Sequence, residues 1–88
     1  LDAGAKVLDV RRASEYADGH IAGARNIAHT RLAARLEEVP KGEPILVHCQ
    51  GGVRSAFATA MLERAGYDAT NVAGGFGAWT AAGLPTVR

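Results

Sequence analysis

The segment Pro44-Ile45-Leu46-Val47-His48 constrains this chain more than any other. Three consecutive large aliphatic residues read as a strand covered on both faces, as the strands of parallel sheets are. Such a strand needs helices above and below it. The rest of the sequence alternates apolar segments with turn signals in a way that supplies them. Ala5-Lys6-Val7-Leu8-Asp9-Val10 reads as a strand, and Ser14-Glu15-Tyr16-Ala17 as one helical turn stopped by Gly19. Ala24-Arg25-Asn26-Ile27 follows Gly23 as a short strand. Thr30 is the expected N-cap of a helix reaching Glu38, with Leu32, Ala33, Leu36 and Val39 at helical spacing. Val53 to Ala65 reads as the longest helix. Its expected inner face is Ala56, Phe57, Ala60, Met61 and Ala65, and Gly66 is placed to end it. Ala69-Thr70-Asn71-Val72 is a strand, and a last helix runs from Phe76 to Ala82 before Gly83 and Pro85. The alternation predicts an α/β domain with a mainly parallel sheet flanked by helices.

Composition narrows the function classes. Eighty-eight residues make one domain, because two independent cores do not fit in that length. Apolar residues at 48% and charged residues at 22% exclude a chain too polar to collapse. A formal net charge of +1 gives no basic field for a nucleic acid or a membrane surface, and no apolar run approaches the ~20 residues of a membrane span. The single cysteine forbids an internal disulfide but leaves thiol chemistry open, which suits a reducing, cytoplasmic setting. His20, His29, His48 and Cys49 do not have the spacing of a zinc site, so no metal is expected.

In parallel α/β sheets, ligands sit beyond the carboxyl ends of the strands. The strongest strand here ends at His48, and the next residue is the only cysteine. Cys49-Gln50-Gly51-Gly52-Val53-Arg54-Ser55 joins that strand to the longest helix. Consecutive N–H groups in such a loop can converge on one point, and the helix adds its unpaired N–H groups and the positive end of its dipole. The natural anion is the Cys49 thiolate, with a pKa below the ~8.5 of a free thiol. Gly51 and Gly52 allow the backbone to curl around the sulfur. Arg54 has two available roles: reaching into the cradle, or turning outward to a carboxylate such as Asp9. Ser55 is expected to hydrogen-bond the sulfur. His48 is unsuited as a base for Cys49, because adjacent strand residues face opposite ways, and is read as a core histidine.

These residues carry a resemblance. Cys49 to Ser55 resembles the active-site loop of rhodanese-type sulfurtransferases. Leu8-Asp9-Val10-Arg11, the stretch Glu15-Tyr16 through Gly19-His20-Ile21 to Asn26-Ile27, and Gly74-Gly75 through Ala78-Trp79 to Gly83-Leu84-Pro85 are similar to the other landmarks of that family. The resemblance implies the rhodanese fold and a catalytic Cys49. It implies sulfur transfer from a donor such as thiosulfate or glutathione persulfide to a thiol or cyanide through a cysteine persulfide. Asp9 and Arg11 are implied as supporting residues, with Arg11 expected to pair with Glu15. Trp79 is expected in the core, and Phe76 and Tyr16 are candidates for the pocket mouth. Family members begin with a further strand and helix, so the domain is expected to be trimmed before Leu1.

Two further readings come with the resemblance. Phosphatases and arsenate reductases of related fold carry five residues between cysteine and arginine; four stand between Cys49 and Arg54, which favours sulfur over a phosphate-sized anion. The loop, together with Thr30 to Leu36, is also similar to rhodanese domains fused behind metallo-β-lactamase-fold persulfide dioxygenases. In that setting the domain is either the transferase itself or a non-catalytic sulfur-carrier or regulatory module.

Overall fold

The computed structural model describes residues 6–88. The expected start of the first strand at Ala5 lies outside the described residues.

Four strands form one parallel sheet: β1 (Lys6–Asp9), β2 (Arg25–Asn26), β3 (Pro44–His48) and β4 (Asp68–Asn71), in the order β2-β1-β3-β4. Each strand pairs in parallel with its neighbour. Three α-helices, α1 (Ala13–Asp18), α2 (Val53–Arg64) and α3 (Gly75–Ala81), and a 3-10 segment (Leu32–Glu38) connect and cover them. The aliphatic run of β3 lies at the centre, with Ile45 and Val47 fully buried against Leu8, Val10, Ile27, Leu32, Ala58 and Leu62. A smaller cluster of Val7, Ile21 and Ala24 packs with Tyr16, Phe76 and Trp79 on the other side. Among the described residues no helix is long and apolar enough to cross a membrane.

Two expectations require correction. The segment opened by Thr30 is not a regular α-helix. Its N-cap is Arg31, without a side-chain cap, and helical geometry breaks at Arg35 (φ −125°, ψ 23°). Only Leu32 of the segment is fully buried, so little packing enforces regular α geometry over so short a run. The buried face of α2 is Ser55, Ala58, Thr59 and Leu62; of the expected face, Met61 packs partly buried against the core and Ala65 is half-buried, whereas Ala56, Phe57 and Ala60 are exposed. Phe57 is 74% exposed. Alanines line both sides of this helix, so apolar periodicity alone does not fix its rotation. The small residues Ser55 and Ala58 meet the sheet, and Leu62 supplies the volume.

Candidate active site

The site lies at the carboxyl end of β3, where the chain turns into α2. Cys49 directly follows β3, and Gly52 is the N-cap of α2 in the left-handed region (φ 110°), which favours glycine. The turn brings the Gly52 N–H to 3.0 Å from Cys49 Sγ. Ser55, one turn into α2, places its hydroxyl 3.5 Å from the same sulfur. Burial pushes the thiol up, but the Ser55 hydroxyl and the N–H groups of Ser55, Gly52 and Gly51 outweigh it, and the pKa falls below the ordinary thiol value. Cys49 forms the floor of the cradle, with 1% of its surface exposed. Gln50, Gly51 and Val53 form its exposed rim.

The loop is held from outside by the start of α3. Phe76 N–H donates to Cys49 O at 2.7 Å, and Gly77 N–H donates to Gln50 O at 2.9 Å. These bonds draw the loop carbonyls toward α3, which accords with the N–H groups facing the sulfur. Gly75 (φ 55°) permits the approach, since a Cβ there would stand 2.3 Å from Cys49 O. The sequence reading marked Gly74-Gly75 as a landmark without a role. A contact made through backbone N–H groups leaves no side-chain signature to read.

The charges are exchanged relative to expectation. Arg11 does not pair with Glu15, and Arg54 turns outward but not to Asp9. Arg11 binds both Asp9 oxygens, with Nη2 2.8 Å from Oδ2 and Nε 3.1 Å from Oδ1. The two residues are two apart at a strand end, so their side chains leave on the same side. Arg11 also donates to Gly19 O at 2.8 Å and to Gln50 Oε1 at 3.4 Å, and its guanidinium lies 4.1 Å above the Phe76 ring. This makes Asp9 and Arg11 a buried brace between β1, the α1 turn and the cysteine loop.

Arg54 forms a two-pronged pair with Glu15, at 2.6 Å and 3.0 Å. Glu15 also accepts the Arg12 N–H at 3.0 Å, closing the first turn of α1. The Arg54 hydrogen bonds hold the Glu15 carboxyl at about 2. Glu15 in turn raises Arg54, with a smaller contribution from the Cys49 sulfur. Arg54 therefore stands between a permanent carboxylate and the thiol.

The remaining candidates separate clearly. His48 is fully buried, with Nδ1 3.2 Å from Cys49 O and Nε2 3.7 Å from Asp9 Oδ2; burial depresses its pKa, as for a core histidine. Phe76 lines a cavity of about 250 Å³ beside the loop, with Arg11, Glu15, Asp18, Gly19, Gln50 and Thr80. Tyr16 instead stacks on His20 and donates to Ala24 O. Trp79 packs in the smaller cluster, half-buried, and donates to Pro85 O. Asn71, read from sequence only as a strand residue, reaches the Ser55 hydroxyl.

Comparison with known proteins agrees with this geometry. The Rhodanese-like domain family matches residues 1–82. The chain belongs to the rhodanese-like family. It is 37% identical to thiosulfate sulfurtransferase 16, chloroplastic, of Arabidopsis thaliana, over 98% of this chain and 82% of that protein. It is 40% identical to the uncharacterized protein YqhL of Bacillus subtilis, covering 85% of this chain but only 60% of that protein's length. The structure of a rhodanese-related protein from Thermoplasma volcanium superposes with a TM-score of 0.92 at 33% identity, covering 96% of this chain and 84% of the other. The rhodanese fold expected from the sequence is thus the fold observed, and the chain's relatives include proteins named as sulfurtransferases.

Proposed function

We propose that this rhodanese-like domain is a sulfurtransferase whose nucleophile is Cys49. The observation that carries this reading is the convergence of the Gly52 N–H and the Ser55 hydroxyl on a thiol whose pKa is lowered. The thiolate attacks the outer sulfur of the donor. A new S–S bond forms at Cys49 while the donor's S–S bond breaks, and the electron pair leaves with sulfite or with glutathione thiolate. Gln50, Gly51, Gly52, Val53, Arg54 and Ser55 cradle the resulting persulfide. A thiol or cyanide then takes the outer sulfur, and the Cys49 thiolate departs as the leaving group, ready for the next cycle. This is covalent catalysis in two halves, so ping-pong kinetics are expected.

Residues 1–88 act as one domain on small-molecule donors and acceptors, in a reducing cytoplasmic setting. Two features argue against phosphatase chemistry: the short span from Cys49 to Arg54, and the engagement of Arg54 by Glu15. The same engagement shapes donor choice. Dianionic thiosulfate needs local positive charge, Gln50 and Gly51 supply none, and Arg54 is neutralised by Glu15. Glutathione persulfide is therefore expected to exceed thiosulfate in kcat/KM by at least about tenfold, or about 1.4 kcal/mol. Steady-state kinetics with both donors test this; thiosulfate as the better donor would defeat the charge argument.

A further inference from the structure

The Ser55 hydroxyl has one proton and three acceptors around it. Its oxygen is 2.5 Å from Asn71 Oδ1, 3.2 Å from Gly52 O and 3.5 Å from Cys49 Sγ. Ser55 is fully buried, so solvent does not resolve the competition. With Oδ1 facing Ser55, Asn71 is the nearest acceptor and competes with the sulfur for the serine proton, its Nδ2 lies 3.5 Å from Gly52 O, and the hydroxyl's bond to the sulfur is the longest of the three. A carboxamide can present either end to the same neighbour. Rotated by half a turn, Asn71 donates through Nδ2 to Ser55 Oγ, and the serine proton is left to Gly52 O and the sulfur, of which an ionised sulfur is the stronger acceptor. The first arrangement suits a neutral thiol, which can itself donate to Ser55 Oγ. The second suits the thiolate, which accepts but cannot donate.

We propose that Asn71 is a positioning residue that acts through Ser55, the orientation of its carboxamide deciding whether the serine proton serves the Cys49 sulfur. On ionisation the thiol proton goes to solvent, the carboxamide turns, and the Ser55 proton replaces it at the sulfur. The inference rests on Cys49 as the reacting thiol. Its test reads the thiol itself, so failure of sulfur transfer leaves the result interpretable. The other charged or titratable groups at this end of the sheet, among the described residues, are Arg54 on α2, Glu15 and Asp18 on α1, Asp9 and Arg11 at the end of β1, and His48 on β3. The test leaves all of them unchanged.

Because Cys49 is the only cysteine, the ultraviolet absorbance of the thiolate reports its titration directly. Asn71→Asp fixes an acceptor against Ser55 permanently. It is expected to lower the thiolate population, at a pH below the thiol pKa, by about tenfold, the loss of a charge-assisted hydrogen bond. Asn71→Ala and Asn71→Leu remove both ends of the amide, free the serine proton, and are expected to stay within about threefold of the parent by the same reasoning. Ser55→Ala is expected to match Asn71→Asp. In the Ser55→Ala background, Asn71→Asp is expected to add less than about threefold, because the proton it would capture is gone. Equal effects of Asn71→Asp and Asn71→Ala would overturn the proposal. So would an Asn71→Asp effect of full size without Ser55, which would make it a matter of added charge alone. If Asn71→Asp does not fold, a tenfold loss in Asn71→Leu decides against it.

Discussion

Two junctions in this molecule are built alike and serve opposite ends. β3 passes through Cys49-Gln50-Gly51-Gly52 into α2, and β4 passes through Val72-Ala73-Gly74 into α3. Each helix is capped by a left-handed glycine, Gly52 at φ 110° and Gly74 at φ 77°. The first junction turns its N–H groups inward onto a sulfur. The second gives two of its N–H groups to the carbonyls of the first, at Cys49 and Gln50. A helix start that ends a strand beside another one can thus serve as scaffold for it. A loop whose N–H groups face an anion must send its carbonyls elsewhere, and here α3 receives them.

The comparison breaks most visibly at Gly75. An added Cβ would meet Cys49 O at 2.3 Å, in a backbone conformation that L side chains rarely adopt. Gly75→Ala is expected to cost about 3 kcal/mol or more from overpacking and left-handed strain together. It should also reduce sulfur loading of Cys49, although the substitution lies outside the cysteine loop. Urea denaturation and intact-mass loading measure the two effects.

The effect at Glu15 is intermediate. Glu15 is held at about 2 against an ordinary 4.5, so its ionised form is favoured by folding. Its stabilisation is complete above the unfolded value and is lost as pH falls from about 4.5 toward about 2. The pair is partly exposed, so about 1 kcal/mol is at stake. Glu15→Gln should remove this contribution at neutral pH and flatten the acid limb of the stability profile. It should also raise turnover with thiosulfate by freeing Arg54. Denaturation across the acid range and donor kinetics check both; an unchanged acid limb would remove Glu15 from the account.

The smallest effect is expected at Gly51, inside the sulfur's own loop. No atom lies within 4 Å of a Cβ placed there, and its φ is not positive. Gly51→Ala should change stability by less than about 1 kcal/mol, with a favourable contribution from reduced unfolded-state freedom. A loss as large as that at Gly75, read in the same urea titration, would erase the distinction between scaffold and cradle.

The fold was largely legible because β3 and the turn glycines speak through side-chain type and backbone freedom. Strand β3 and the termination of α2 near Gly66 follow the sequence reading closely. The rotation of α2 was not legible, since Ala56, Ala58 and Ala60 look alike to a periodicity argument and only contact with the sheet selects Ala58. The cysteine loop was legible as a local motif. The pairing of Arg54 with Glu15 was not, because it depends on where α1 is set against α2; Arg11 had Asp9 two residues away and Glu15 four away, and the sequence does not rank the two. Asn71 escaped because an asparagine at a strand end carries no mark of the hydroxyl it reaches on α2.

The central claim is that Cys49 receives sulfur. Intact-mass spectrometry of the protein after exposure to glutathione persulfide or thiosulfate tests it most directly. One added sulfur atom on the parent chain, removed by cyanide as thiocyanate and absent from Cys49→Ala, is the expected result. A sulfur gain or undiminished thiocyanate release in Cys49→Ala would contradict it.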